Sequence, residues 1–359
     1  MKPVPHLLAS VATVAPHSLA SVAKVHMRRL LALGAALVLA TAACGSEETP
    51  PPGGPVSGTK VTLAFSAWPG WFPWQVAQSK GLFASNGVDV ELKYFDDYLA
   101  SLTALASGAV DANSQTLNDT LISVSGGAKQ TIVLVNDNST GNDQIIAAEG
   151  INTVADLKGK TVAIEAGTVD HFLLLLALKE VGLAGTDVTI KALPTAEAAA
   201  AFKAGQVDAV GAFAPFTTTA LERPGSKAIS TSKDFPGAIP DHLVFDAAFV
   251  AEHADEVQKI VQTWFDTLEW ISANKDEAVA IMAEKAGVTP EDYISYDAGT
   301  TIFSREDNLA AFAPGTTSAN LDYQAAQIAK FLVEAELAES EPSLEGLLEP
   351  KFVTAVVTP

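Results

Sequence analysis

The chain repeats itself, and the repeat limits the folds open to it. Three landmarks recur in order at an offset close to one hundred residues. KVTLA at 60–64 is answered by KTVAI at 160–164, each reading as a strand that opens a lobe. NGVDVEL at 86–92 is answered by GTDVTI at 185–190, each a turn before a strand and each following a Gly-Leu pair. LASGAVDA at 105–112 is answered by FKAGQVDA at 202–209, each a helix end closed by glycine and leading into a strand. Strand, helix, strand, helix, strand in each copy calls for a mainly parallel sheet with flanking helices, so the fold class is α/β in two lobes. Residues 131–135 continue the first lobe as a buried strand, and the turn-rich NDNSTGND follows at 136–143. Residues 145–148 then cross to the second lobe, and LVFDAAFV at 243–250 reads as the return strand. Two crossings make a two-stranded hinge. Lobe one is therefore expected over 59–147 and 243–359, and lobe two over 148–242.

Beyond residue 250 the pattern turns helical. Val257, Ile260, Val261, Trp264, Leu268 and Ile271 follow a period of 3.6, which assigns Trp264 and Trp270 to packing. Further helices are expected over 276–286, ended by Gly287, and over 321–336, with a looser segment at 291–319. These complete the core of lobe one.

The most unusual stretch is SAWPGWFPWQVAQSKGLF at 66–83, where three of the five tryptophans fall within seven residues. Pro69, Gly70 and Pro73 interrupt any helix through Trp68 and Trp71, and Pro73 opens a helix that carries Trp74 away from the loop. The crevice beyond the carboxyl ends of parallel strands is where α/β sheets take their ligands, and flat aromatic rings make good walls there.

Ahead of the lobes, Arg28 and Arg29 precede the apolar run LLALGAALVLATAAC, the layout of a secretory signal and too short for a membrane span. Residues 1–26 do not fit that layout, so Met27 is the expected true start. TAAC at 41–44 resembles the lipobox of bacterial lipoproteins, which implies cleavage before Cys44 and its acylation; Thr41 departs from the usual leucine. Cys44 is the single cysteine, so no internal disulfide is available. Residues 44–58, rich in Pro and Gly, read as a lipidated tether to the cell membrane. Removing residues 1–43, with four basic residues and no acids, takes the formal charge from −20 to −24. So acidic a body argues against nucleic acid as a partner.

With these residues in view, the chain resembles the two-lobed solute-binding proteins of bacterial ABC importers. The branch is the type II one that includes binders of nitrate, of taurine and alkanesulfonates, and of pyrimidine precursors. WPGWFPWQVAQSKGLF at 68–83, LTALASGAVDA at 102–112, DLKGKTVAIEAGTVDHFLL at 156–174 and AAFKAGQVDAV at 200–210 carry the resemblance. The run from Asn138 through INTVADLKGK is similar to members encoded near urea-carboxylase genes. The resemblance implies a periplasmic-binding-protein type II fold and an extracytoplasmic, lipid-anchored monomer. Its partners would be a small-molecule solute and the permease and ATPase subunits of an importer. A pyrimidine-precursor synthase on the same fold is the enzymatic alternative. Against an enzyme, the only histidines after residue 43 are His171, His242 and His253, and CxxC, HExxH, GxSxG and P-loop patterns are missing. No catalytic residue, metal or cofactor is therefore expected.

The ligand class is read from charge. The loops at the strand ends, including 67–74, 94–98, 113–120, 136–143, 165–172 and 212–217, carry seven acids and no Lys or Arg. Only Arg223 and Arg305 remain as arginines after residue 44, and neither is in these loops. An anion is usually held by Arg, Lys or helix N-termini. Carboxylates beside tryptophan faces favour a cation or an N–H-rich group. A small nitrogenous solute follows: an amine, a guanidine or urea-like group, or a pyrimidine. Taurine, an alkanesulfonate or nitrate is the alternative. On one wall the expected contacts are Trp68, Trp71, Asp97, Asn118, Asp119 and Asp143. On the other they are Glu165, Thr168, Asp170, His171 and Phe213. Each acid has the competing role of solvated charge or helix cap, Asp119 and Asp170 above all. His171 lines the cleft or packs under it.

Overall fold

Eleven strands form in chain order: β1 (Val61–Ser66), β2 (Val90–Phe95), β3 (Ala112–Thr116), β4 (Gln130–Ser139), β5 (Asp143–Ala147), β6 (Thr161–Ile164), β7 (Thr189–Ala192), β8 (Ala209–Phe213), β9 (Lys227–Thr231), β10 (Pro240–Asp246) and β11 (Thr300–Ile302). They come from a computed structural model that describes residues 58–357. The expected signal region, the tether and Cys44 lie outside the described residues, apart from Gly58 at the tether's end.

Two sheets result, ordered β11-β4-β10-β3-β1-β2 and β7-β6-β8-β5-β9. The repeat read from the sequence is a repeat of pairing. β1 lies parallel between β2 and β3, and β6 lies parallel between β7 and β8. Next to β3 comes the antiparallel β10 and then β4; next to β8 comes the antiparallel β5 and then β9.

The GxVDA landmarks explain part of this. Gly108 (φ 72°) and Gly205 (φ 74°) supply the left-handed turn that ends a helix, a conformation glycine adopts without a Cβ penalty. Three residues on, Asp111 accepts a hydrogen bond from Thr62 N at 2.7 Å, and its own amide donates to Thr62 O at 3.0 Å. In the second lobe Asp208 accepts from Thr161 N at 2.8 Å, and its amide donates to Thr161 O at 2.9 Å. Both aspartates staple the third strand of a lobe to its first.

The hinge differs from its expected bounds. β5 already belongs to the second sheet, so the outward crossing occupies residues 140–142 rather than 145–148. Residues 232–239 form the return. Ser232 Oγ lies 2.7 Å from Ser139 Oγ and accepts from Gly141 N at 2.7 Å, so the two crossings are tied together. The expected return strand at 243–250 is half right. β10 runs from Pro240 to Asp246, and Asp246 then caps the helix Ala247–Glu252, accepting from Ala248 N at 2.9 Å and Phe249 N at 3.2 Å.

In the C-terminal part, the helix Ala254–Ala273 buries Val257, Ile260, Val261 and Trp264. The helix Lys275–Ala286 ends at Gly287 with φ 70°. The segment expected to be loose instead holds the helices Pro290–Ser295 and Arg305–Phe312, with β11 joining β4 at the sheet edge. Among the described residues no helix is long and apolar enough to cross a membrane.

Candidate functional site

The loop after β1 folds back on itself, with Trp71 N and Phe72 N donating to Trp68 O at 3.0 and 3.3 Å. Pro73 then opens the helix Pro73–Ser79 at its first position. The three tryptophans separate at this bend. Trp74 is fully buried, 4.6 Å from the Trp264 ring and stacked on Phe83 at 6.0 Å, with Nε1 donating to Ser114 Oγ at 2.9 Å. It belongs to the core. Trp68 and Trp71 turn the other way, toward the gap between the sheets.

Trp68 Nε1 donates to Asp137 Oδ1 at 2.9 Å. Gly70 sits against that same carboxyl group so closely that a Cβ there would lie 1.9 Å from Asp137 Oδ2. Only glycine permits this approach. Trp71 packs on Tyr98 at 5.5 Å, and both Trp68 (6.3 Å) and Tyr98 (6.0 Å) meet the edge of Phe213 from the opposite lobe. These four rings enclose a cavity of about 10 Å³, about what one water-sized molecule needs. Thr116 and Asp241 complete its first-lobe wall, and Asp143 and Val169 its second-lobe wall.

Asp143 and Asp241 reach this cavity by the same device. Each stands at or near the start of an antiparallel strand, and an antiparallel strand begins where its parallel neighbours end. Of the expected contacts, Trp68, Trp71, Asp143 and Phe213 line the cavity together. Glu165 and Asp97 line a neighbouring crevice with Ser66 and Thr195. Asp97 is also the cap of the helix Tyr98–Ala106, accepting from Ala100 N at 3.0 Å.

The remaining expected contacts serve neighbours. Asp119 accepts from Thr116 Oγ1 at 2.7 Å and Asn118 Nδ2 at 2.8 Å. Asp170 accepts from Thr195 Oγ1 at 2.8 Å, and the Thr168 hydroxyl donates back to Glu165 O at 2.9 Å. His171 is not brought to the cavity: it accepts from Gly167 N at 3.3 Å and faces a groove beside Leu175 and Phe331. One residue later on its helix, the buried Phe172 packs on Phe331 at 5.4 Å. Asp241, Tyr98, Thr116 and Val169 were not anticipated as wall residues. Asp241 had a usable signal: an acid at the start of the strand that returns from the second lobe.

The site's electrostatics follow from burial. Asp119, Asp137, Asp143, Glu165, Asp170 and Asp241 are each less than 5% exposed. Loss of water around them, more than any neighbour, pushes Asp119 and Asp170 up to about 7 and Asp143 and Glu165 up to about 8, and it raises Asp137 as well. Asp241 is pushed well up by the same loss of water and then by the charges of Asp137 and Asp143. No Lys or Arg lines the cavity. Arg223 donates to Phe202 O and Val207 O at 3.0 and 2.8 Å, and Arg305 to Thr354 O at 3.3 Å, all outside the cleft. Asp137, Asp143 and Asp241 each keep one carboxyl oxygen, and Trp71 its Nε1, without a hydrogen-bond partner.

A pH dependence of stability results. An unfolded chain ionises its carboxyl groups near pH 4. The folded chain keeps Asp143 and Glu165 protonated up to about pH 8. Through that window the folded state binds more protons, so stability falls as pH rises. The solute-free protein is expected to melt at a higher temperature at pH 5.5 than at pH 8, with a smaller gap in Asp143→Asn. An equal gap in the variant would count against the buried state of Asp143.

A sequence profile of the NMT1-like family matches residues 54–286. The chain belongs to the NMT1-like family. A protein of Brucella abortus, named only as a candidate binding protein, is 30% identical over 213 residues, 58% of this chain and 66% of its own length. The chain thus spans just under two thirds of that relative. The taurine-binding periplasmic protein of Escherichia coli is 25% identical over 259 residues, 70% of this chain and 81% of its own. In three dimensions, the alkanesulfonate-binding protein of Xanthomonas axonopodis bound to MOPS superposes with a TM-score of 0.69 at 19% identity. That match covers 81% of this chain and 98% of the other. The type II solute-binding fold expected from the resemblance is therefore the fold of this NMT1-like protein, and its named relatives are binding proteins.

Proposed function

We propose that the protein is the extracytoplasmic solute-binding component of an ABC importer and captures a small nitrogenous solute, cationic or rich in N–H donors. The observation that carries this reading is the cavity wall. Unpartnered oxygens of Asp143 and Asp241 stand among four aromatic rings with no basic side chain in reach. A buried carboxylate oxygen without a donor is costly, and a ligand N–H or positive charge removes the cost. Ring faces add cation–π attraction in a desolvated site. The cavity as it stands has room for about one water-sized molecule, so a solute of a few heavy atoms enters only as the lobes part. The names of the relatives support a second reading, in which taurine or another sulfonate is bound; the lack of Lys and Arg at the cavity speaks against it.

Capture proceeds by the hinge. Residues 140–142 and 232–239 let the lobes part, solute enters against Trp68 and Trp71, and closure brings Asp143 and Phe213 over it. The closed form is then presented to permease and ATPase subunits, with the monomer held to the membrane through a lipid on Cys44.

Calorimetry of the purified protein against guanidinium, methylamine, urea, a pyrimidine, taurine and nitrate separates the readings. Binding of a nitrogenous solute, weakened about 10- to 150-fold by Asp143→Asn, is the expected result, since a hydrogen bond to a charged group is worth about 1.5–3 kcal/mol. Tight taurine or nitrate binding with none for the nitrogenous set would overturn it.

A further inference from the structure

Asp137 and Asp241 face each other across the ladder of β4 and β10, directly opposite in register. Both are essentially without solvent contact. Trp68 satisfies one oxygen of Asp137; the second oxygen of each residue has no donor. The Gly70 backbone presses on the Asp137 carboxyl group and leaves no room for a counter-ion on that side. The ionisable groups around the pair are Asp143 from β5, Asp119 from the helix Leu117–Ser125, and the phenols of Tyr98 and Tyr293. His242 follows Asp241 on β10, and strand alternation turns it to the opposite face, where it is buried and held neutral by loss of water. None of these neighbours supplies a positive charge. Two adjoining carboxyl groups in so dry a place do not both ionise.

We propose that the Asp137–Asp241 pair reads the charge of the solute: without solute it holds one proton between its two carboxyl groups, and an entering cation expels that proton to water. The exchange balances in charge, one cation in for one proton out. A neutral solute of the same shape leaves the proton where it is. Burial, which raises both acids, agrees with a proton retained near neutral pH. This inference rests on the nitrogenous reading of the cavity and adds a rule of discrimination to it. Below the titration of the pair, affinity for a cation rises about tenfold per pH unit, while affinity for its neutral counterpart stays level.

Guanidinium and urea are suitable probes, since they share a planar three-armed frame and differ by one charge. Calorimetry of the full chain in two buffers of different protonation enthalpy counts the protons released. About one proton more per guanidinium than in the double variant Asp137→Asn/Asp241→Asn, and none per urea, are expected at pH 6, with a guanidinium affinity at least tenfold higher at pH 7 than at pH 6. Proton release per guanidinium that is the same in the double variant would overturn the exchange. A second measurement needs no solute. Infrared spectroscopy of the solute-free protein at pH 6 is expected to show one protonated carboxyl group more than in the double variant Asp137→Asn/Asp241→Asn, and an identical carboxyl band would overturn the shared proton. If taurine binds and neither probe does, while the infrared difference is present, the nitrogenous reading fails and the shared proton stands without its exchange.

Discussion

Trp74→Ala is expected to lower stability by about 3–5 kcal/mol, the range for removing a large aromatic from a core. Trp74 is without solvent contact and wedged between Phe83 and Trp264, and its indole N–H occupies Ser114 Oγ. Its removal opens a void between β1's following helix and the helix Ala254–Ala273, two elements that hold the first lobe together. For a chain of this size the loss corresponds to a fall in melting temperature of roughly 4 to 8 °C. Trp68→Ala provides the contrast. Trp68 faces the cavity and Phe213 rather than the core, so its removal enlarges a space that already exists. It should weaken solute binding about a hundredfold with a smaller fall in melting temperature, consistent with a ring that covers a desolvated cation at ~2 kcal/mol or more. Thermal melts and calorimetry on both variants decide the matter. Equal melting losses with intact binding in Trp68→Ala would place both tryptophans in the core.

Gly70→Ala is expected to cost about 2–4 kcal/mol, more than a surface alanine ordinarily does, because the new methyl collides with a group that cannot move. The Cβ would lie 1.9 Å from Asp137 Oδ2 and 2.2 Å from its Cγ. Asp137 is held on β4 by pairing with Ile302 on one side and Asp241 on the other, and by the Trp68 indole. The aromatic loop must therefore lift, which also pulls Trp68 and Trp71 away from the cavity. A double-mutant cycle isolates the collision. In an Asp137→Ala background the same Gly70→Ala change should cost at least 1 kcal/mol less, since the atoms it strikes are gone. Urea denaturation midpoints of the four proteins give the coupling, and additive losses would mean that the loop does not lean on Asp137.

Several elements were legible because their causes are local. The GxVDA pieces announced themselves through a glycine that ends a helix, a short-range event, whereas the aspartate that follows reaches 49 or 47 residues back to the first strand. Pro73 marked the start of a helix because its ring forbids any earlier one, and so Trp74 was separable from Trp68 and Trp71. The helix Ala254–Ala273 showed its buried stripe through periodicity. By contrast, LVFDAAFV looked like one apolar strand, and the switch to helix at Asp246 turned on a cap whose alternative, a strand residue, has the same hydrophobic pattern.

Which acids share a cavity was not legible in the same way. Asp97 and Asp119 sit at the expected edge of their sheet, one just before a helix and one in a helix's first turn, yet their carboxyl groups serve a helix cap and a buried hydroxyl. Asp241 was overlooked because its strand was read as starting two residues later. His171, read as lining the cleft or packing under it, lies in the expected helix but faces the groove beside Leu175 and Phe331. The absence of arginine and lysine from the strand-end loops was visible at once, since composition belongs to the chain and needs no fold. That absence, with the duplicated strand order and the aromatic loop, is what the amino-acid order determined alone. The pairing of Asp137 with Asp241 was decided only when β10 came to lie between β3 and β4. Strand order is set by long-range burial and hydrogen bonding, and these bring together carboxyl groups about a hundred residues apart that no local pattern connects.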